Sequence, residues 1–125
     1  DYVLIPKRME QAFIEKTNTY LKNAYYTKGD FNYDDYDQII NVPNFNRLKR
    51  LFDDAVAKGA KVEVGGVFDE QLRRIQPTLL TNVSLDSAIM KEELSVLLKN
   101  RLLCMCLVMT MNLQIILSAI QLLEA

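Results

Sequence analysis

The feature that most constrains the fold is a change of character along the chain just after Leu94. Residues 1–94 mix charged, apolar, glycine and proline residues in the manner of a cytosolic α/β enzyme segment. After residue 94 glycine and proline are absent, and residues 102–123 contain no Asp, Glu, Lys or Arg. We therefore divide the chain into an enzyme-like segment, residues 1–94, and a hydrophobic tail, residues 95–125.

Composition excludes several classes of protein. The 125 residues carry a formal net charge of −1, which gives no electrostatic case for binding nucleic acid or anionic lipid. Two cysteines and no histidine exclude a disulfide scaffold and a zinc site built from several Cys and His ligands. The N-terminus is no signal peptide, and it lacks a starting Met. We expect a cytoplasmic segment of something longer, with room for one domain.

Hydrophobic periodicity predicts two amphipathic helices that pack on a few strands, an α/β arrangement. The first helix is predicted over residues 7–24. The second is predicted to begin at Pro43-Asn44, with Asn44 as its N-cap and Gly59 as the left-handed residue at its end. The predicted apolar faces are Met9, Phe13, Tyr20 and Ala24 in the first helix, and Phe45, Leu48, Leu51, Phe52, Ala55 and Val56 in the second.

The strand signals are shorter. Residues 2–5 form an apolar run typical of a buried strand, and residues 61–64 alternate in polarity up to Gly65-Gly66. Residues 75–83 are a further extended candidate, which Pro77 confines to an edge or to a strand start. Residues 27–38 are predicted to be a polar loop.

Two motifs could in principle bind a phosphate or a metal ion, but each is better explained as a part of the fold without a ligand. Gly65-Gly66 lacks the spacing of a phosphate-binding loop and no clear helix follows it, so a plain turn is the better interpretation. The acidic run Asp34-Asp35-Tyr36-Asp37 lacks the ligand spacing and central glycine of an EF-hand, and a solvated loop is favoured. We therefore predict no metal site.

Two further pairs concern reactive side chains. Cys104 and Cys106 have no histidine or nearby base to activate a thiol, which favours inert apolar packing. Glu92 and Glu93 could act as paired carboxylates in acid/base chemistry, although two acids at a helix start more often complement its dipole. The residues alone thus indicate no catalytic group.

Order and spacing are more informative than single motifs. The elements, in chain order, are Asp1-Tyr2-Val3-Leu4, the first helix, Asp35-Tyr36-Asp37-Gln38-Ile39-Ile40-Asn41, Phe45-x-Arg47-Leu48, Ala57-Lys58-Gly59-Ala60-Lys61-Val62 with Gly65-Gly66, Pro77-Thr78-Leu79-Leu80-Thr81-Asn82-Val83, and Met90-Lys91-Glu92-Glu93. In this order they resemble the catalytic domain of the aldehyde dehydrogenase superfamily, in particular its class-three and coniferyl-aldehyde-dehydrogenase-like branch. The resemblance covers residues 1–94.

The resemblance implies what the parent enzyme does. It implies an NAD- or NADP-dependent oxidation of aldehydes to carboxylic acids, through a thiohemiacetal on a cysteine, by a parent that is a homodimer or homotetramer. The family's nucleophile and general base lie upstream of Asp1, so this chain contributes no catalytic residue and is predicted to be inactive alone. In the family, the second glutamate of Glu-Glu-(Ile/Leu)-Phe-Gly-Pro holds the ribose hydroxyls of the nucleotide. That role carries over to Glu93, since a carboxylate accepts from two hydroxyl donors.

The chain departs from the family motif immediately after Leu94. Ser95, Val96 and Leu97 stand where the family has Phe, Gly and Pro. Loss of one nucleotide at the Phe codon turns Glu-Glu-Leu-Phe-Gly-Pro into Glu-Glu-Leu-Ser-Val-Leu. In the restored frame, codon degeneracy permits family-like stretches in the tail. We therefore hypothesise that residues 95–125 are read out of frame.

Two other interpretations stay open. The tail is rich in Leu, Met, Ile and Ala, which predicts a helix that could bind a membrane or a protein partner. Asn112, Gln114 and Gln121 argue against a membrane span, because amides are costly in hydrocarbon. The chain could also be a bare structural fragment whose exposed apolar surface promotes association.

Overall fold

The computed structural model describes residues 2–34, 38–92, 96–97, 102–103 and 106–111. Two one-turn 3-10 segments, Lys7–Met9 and Ala88–Met90, accompany two helices and ten short strands within those residues. In chain order these elements are β1 (Tyr2–Pro6), α1 (Glu10–Tyr25), β2 (Tyr26–Thr27), β3 (Asp30–Phe31), α2 (Val42–Ala57), β4 (Lys61–Val64), β5 (Phe68–Asp69), β6 (Arg74–Ile75), β7 (Leu79–Thr81), β8 (Val96–Leu97), β9 (Leu102–Leu103) and β10 (Cys106–Met111).

A four-stranded mixed sheet organises the fold. Its strand order is β1-β10-β7-β4, and two-stranded antiparallel pairs form from β2 and β3, β5 and β6, and β8 and β9. β10 runs parallel to both β1 and β7, whereas β4 runs antiparallel to β7 with a bulge between Val62 and Val64. Pro77 precedes β7 by two residues, so the predicted extended segment 75–83 consists of β6, a proline-containing connection and β7.

The two helices lie on opposite faces of the sheet. Adjacent residues of a strand point to opposite faces, and in β7 Leu79 packs with Phe13 and Ile14 of α1. Its neighbour Leu80 packs instead in the larger core built on α2. The predicted α/β arrangement of two helices on a few strands is therefore confirmed.

The larger core contains most of the fully buried side chains. The apolar face predicted for α2 is confirmed at four positions and fails at Val56, which is 40% exposed. Phe52 is partly buried against the core. The core consists of Ile39, Phe45, Leu48, Leu51, Ala55, Ala60, Ile75, Leu80, Val83 and Ile89.

Both ends of α2 are defined by side-chain and backbone caps. The N-cap is Asn41, not Asn44 as predicted, because the Asn41 Oδ1 accepts the Asn44 N–H at 2.9 Å while Pro43 lies in the first turn. At the other end Gly59 has φ +98, as predicted. The N–H groups of Gly59 and Ala60 donate to Val56 O and Ala55 O at 3.0 Å, which is a Schellman motif.

Replacing Asn41 by alanine should therefore lower the free energy of unfolding by about 1 kcal/mol, since one N-terminal N–H of α2 loses its acceptor. Asn44→Ala is the matched control. It removes the same side-chain type three residues later but keeps the cap, and we expect a change below about 0.5 kcal/mol. Urea denaturation of the two variants measures both values. An equal loss in both would contradict the assignment of Asn41 as the cap.

The apolar face predicted for α1 is confirmed at Phe13 and wrong at its other three positions. Met9 lies in the preceding 3-10 segment and is 50% exposed, Tyr20 is 70% exposed, and Ala24 is exposed. Near the start of α1, Phe13 and Ile14 pack with residues of β1, β4 and β7, and at its end Tyr25 packs against the larger core. No residue of α1 is fully buried. The small core near β1 reaches only the first turns of α1, so Tyr20 is left exposed between the two points where the helix packs.

Two smaller expectations also change. The predicted polar loop 27–38 contains the β2–β3 hairpin except for Tyr26, and Lys28 and Gly29, with φ +54 and +94, close the hairpin. The buried strand predicted at residues 2–5 exists as β1. Among its side chains, however, Leu4 is 42% exposed and Ile5 is buried, because β1 lies at the edge of the four-stranded sheet.

The helix predicted for the tail is wrong where the structure describes it. β10 occupies Cys106–Met111, and all six residues lie in a strand between β1 and β7. The apolar run of residues 106–109 suits a parallel strand, which pairs with β1 over residues 107–111 and with β7 at Cys106 and Leu107. This tertiary setting outweighs helix propensity. In the described part of the chain, no helix is long and apolar enough to cross a membrane.

Candidate functional site

The candidate cofactor residue, Glu93, lies outside the described residues, but the segment that leads to it is described up to Glu92. Cys104 also lies outside them, and Cys106 is the first residue of β10. The structure therefore describes the candidate site through the residues that lead to Glu93, from Ser84 to Glu92. We call residues 84–92 the approach segment.

The approach segment is folded by its own backbone hydrogen bonds. Ser87 donates its N–H and its hydroxyl to Ser84 O, and the side chain of Ser87 is fully buried. A 3-10 turn follows at Ala88–Met90, and the N–H groups of Lys91 and Glu92 both donate to Ala88 O, at 3.0 and 3.2 Å. Ile89 anchors this turn in the core beside α2, since only 3% of its surface is exposed.

Asp54 and Lys58 hold the beginning of the approach segment against the end of α2. The Ala88 N–H donates to Asp54 Oδ2 at 2.7 Å. Lys58 Nζ lies 3.0 Å from Asp54 Oδ1 and donates to Asp86 O at 3.0 Å. The Ala88 N–H and then the Lys58 ammonium keep the pKa of the Asp54 carboxyl below its ordinary value of 3.8, so the carboxylate is ionised at neutral pH.

Glu92 faces α2 as well. Its carboxylate lies 3.6 Å from Arg47 Nη1 and 3.9 Å from Arg50 Nη2, and the Glu92 side chain is 40% exposed. Glu92 follows the 3-10 turn, and residues 93–95 lie outside the described residues, so the helix-dipole interpretation stays a prediction. Exposed ion pairs of this length contribute little to stability, and both guanidinium groups lie on the α2 side of this carboxylate.

The Gly65-Gly66 pair forms a turn that the protein itself fills. Both glycines have positive φ, +76 and +78. The Gly66 N–H donates to Thr78 Oγ1 at 3.0 Å, and that hydroxyl donates to Gln76 O at 2.8 Å. With this N–H engaged and the backbone of Pro77 close to Gly65, the plain-turn interpretation is favoured over a phosphate site.

The acidic loop is described only in part, since residues 35–37 lie outside the described residues. The Asp34 N–H donates to Asn32 Oδ1 at 3.0 Å, which is a local turn contact. Across the ranges that the structure covers, no three Asp, Glu, Cys or His side chains come together as metal ligands.

Reasoning from the sequence missed Asp54, Arg47 and Arg50. Their spacing of three, four and seven residues places them on one side of α2, and this spacing was a signal. Charged residues on a helix are usually solvated, however, and nothing in the sequence says that the approach segment returns to this side.

Comparison with known proteins gives the family. The model of the family described as "Aldehyde dehydrogenase family" matches residues 1–95. The Bacillus subtilis protein AldX is 45% identical over 96 residues, which cover 75% of this chain and 21% of that protein. Coniferyl aldehyde dehydrogenase of a Pseudomonas species is 36% identical over 102 residues, covering 75% of this chain and 20% of the enzyme. The chain thus spans about a fifth of the length of these curated relatives.

The fold agrees with the sequence match. The substrate-bound structure of Staphylococcus aureus AldH resembles this chain with a TM-score of 0.73 at 28% identity, over 97% of this chain and 24% of that one. The α/β architecture and the family predicted from the order of the motifs are therefore both confirmed. The chain belongs to the aldehyde dehydrogenase family.

Proposed function

We propose that this chain is a catalytic-domain segment of an NAD- or NADP-dependent aldehyde dehydrogenase, a cytoplasmic enzyme that oxidises aldehydes to carboxylic acids. In this proposal the parent enzyme forms a thiohemiacetal on a cysteine that this chain does not contain, and it acts as a homo-oligomer. The observation that carries the proposal is the uninterrupted family match over residues 1–95, which ends at the motif that bears Glu93.

Within that enzyme, the chain supplies scaffold and one cofactor contact. The Glu93 carboxylate would accept hydrogen bonds from the ribose hydroxyls of the nucleotide, and the bound nicotinamide would supply the hydride acceptor. The donor set supports this assignment. Of the two adjacent carboxylates, Glu92 is directed at Arg47 and Arg50, so the nucleotide role falls to Glu93.

The purified 125-residue chain should show no aldehyde-dependent rise in the absorbance of reduced nicotinamide, with either nucleotide. Residues 1–94 contain neither Cys nor His, so no thiol or imidazole in the matched segment can attack the aldehyde. The Pseudomonas coniferyl aldehyde dehydrogenase, assayed in parallel with coniferyl aldehyde, is the positive control. Turnover by the 125-residue chain above the blank would contradict this part of the proposal.

The role of Glu93 is tested in a chimera that carries residues 1–94 of this chain in place of the segment they match in that Pseudomonas enzyme. Glu93→Gln should raise the KM for the nucleotide about tenfold, because a charge-assisted pair of hydrogen bonds is weakened. Glu92→Gln is the matched control, with the same change one residue earlier, and should leave that KM within about twofold. Equal effects, or no effect of Glu93→Gln, would contradict the assignment.

We further propose that residues 95–125 are translated out of frame. Support comes from the family match, which ends at residue 95, and from Ser95-Val96-Leu97, which a one-nucleotide slip generates from Phe-Gly-Pro codons. Sequencing the encoding DNA should show the Phe-Gly-Pro codons in another frame directly after the Leu94 codon. An unbroken frame, with no such codons in either alternative frame, would refute the proposal.

A further inference from the structure

One side of α2 bears charged residues that all contact the approach segment. Arg47, Arg50 and Asp54 lie at intervals of three and four residues, and Lys58 follows four residues later, directly after the helix. This spacing aligns the four side chains along the helix axis. We call these four residues the charged stripe.

The approach segment runs antiparallel to α2, so its first residues contact the end of the helix and its last residue contacts the region nearer the helix start. At the C-terminal end of α2, Lys58 reaches Asp86 O. One turn earlier, Asp54 accepts the Ala88 N–H at 2.7 Å. Closer to the N-terminus of the helix, Arg47 and Arg50 face Glu92. The charged stripe therefore guides the approach segment from its start to the residue immediately before Glu93.

This arrangement is specific to the stripe. On another side of the same helix, Lys49 and Asp53 form an ion pair with each other at 3.3 Å, and the Asp53 side chain is 60% exposed. Lys49 and Asp53 therefore carry the same kinds of charge as Lys58 and Asp54, but their ion pair lies within the helix. The Asp54 contact differs in kind, because it binds a backbone N–H of a segment 34 residues away along the chain.

We infer that Asp54 is a positioning residue for the nucleotide site: by binding the Ala88 N–H it fixes the path of the approach segment and so places Glu93. The inference rests on the proposed role of Glu93. A carboxylate is suited to the task, because charge-assisted hydrogen bonds to backbone N–H groups are short and strong. Lys58 and Lys91 also face this carboxylate and favour its ionised form.

The first test uses the 125-residue chain without nucleotide, by NMR. In Asp54→Ala, the Ala88 amide should exchange with solvent about tenfold faster, since a hydrogen bond to a charged acceptor is lost. Asp54→Asn keeps an oxygen acceptor and should recover part of this protection. The Ala88 amide shift should titrate in acid in the unmodified chain, with a midpoint below 3.8, and should not titrate in Asp54→Asn. Asp53→Asn is the control and should leave Ala88 unchanged.

The second test uses the chimera described above. Asp54→Ala should raise the KM for the nucleotide at least about fivefold with kcat little changed, because the misplaced Glu93 contact contributes binding only. Asp54→Asn should fall between Asp54→Ala and the parent chimera. If Glu93→Gln raises this KM and Asp54→Ala does not, the inference is wrong while the proposed function stands. If Glu93→Gln itself has no effect, the proposed role of Glu93 fails. Unchanged Ala88 exchange in Asp54→Ala overturns the inference whichever way the kinetics fall.

Discussion

Leu48→Ala should lower the free energy of unfolding of the chain by about 3 kcal/mol, because it removes a full side chain from the centre of the core and leaves a cavity. Leu48 has no exposed surface and lies on the face of α2 that packs against Leu80 and Ile75. Among the described residues, the second apolar cluster has only two buried members, Ile5 and Leu79. Urea denaturation, followed by circular dichroism, should show a lower transition midpoint with a similar slope.

The matched control for this prediction is Leu85→Ala. Leu85 is the same residue type and is 60% exposed, at the start of the approach segment. Its truncation should change the free energy of unfolding by less than about 0.5 kcal/mol, as for other exposed positions. Similar losses for the two variants would mean that α2 does not pack on the sheet as described.

The core around Leu48 could be predicted from the sequence because one physical rule determines it. Phe45, Leu48, Leu51 and Ala55 recur at intervals of three or four residues, and a helix with this spacing must bury that face. The end of the helix followed from Gly59 for a similar reason, since a left-handed residue is needed there. Local chemistry and tertiary packing agree at these positions.

The start of α2 and the buried face of α1 were harder to predict from the sequence. Asn41 and Asn44 both suit an N-cap, and the structure distinguishes them by the extended backbone of Asn41 and by the hydrogen bond that its side chain accepts from the Asn44 N–H. In α1, Phe13 contacts the sheet while Tyr20, two turns later, is 70% exposed. Periodicity identifies a face of a helix, but the length over which that face is covered depends on where the sheet ends.

The error in the tail has a different cause. Composition after residue 94 favours a helix, but β10 forms because it pairs with β1 over residues 107–111 and with β7 at Cys106 and Leu107. This pairing joins residues 105 positions apart for β1 and 27 positions apart for β7. Local propensity contains no information on contacts of that range.

The candidate site divides in the same way. The prediction for Glu93 rested on the family resemblance, because the order of several motifs can single out a residue where the chemistry of that residue alone does not. Asp54 required coordinates, since its partner is a backbone N–H 34 residues later. A side chain that binds backbone has no complementary residue type in the sequence, so no pattern of charges could reveal the pair.

Gly65→Ala should destabilise the fold by about 3 kcal/mol or more, because it combines backbone strain with a collision. Gly65 has φ +76, and a Cβ built on it would lie 2.1 Å from Pro77 O and 2.9 Å from Thr78 Oγ1. The nearest obstacle is backbone that leads directly into β7. Relief of the clash would therefore shift β7, the strand that pairs with both β4 and β10.

Gly29→Ala separates these two contributions. Gly29 has φ +94 in the β2–β3 turn, and a Cβ there would meet nothing within 4 Å. The variant thus carries the strain of a left-handed backbone without a collision, and we expect a loss of only about 1 kcal/mol. The difference between the two variants, measured by urea denaturation, isolates the close approach of Gly65 to Pro77. If Gly65→Ala lost no more stability than Gly29→Ala, the close approach of Gly65 to Pro77 would be wrong. The placement of β7, the strand that leads to the approach segment, would then be wrong as well.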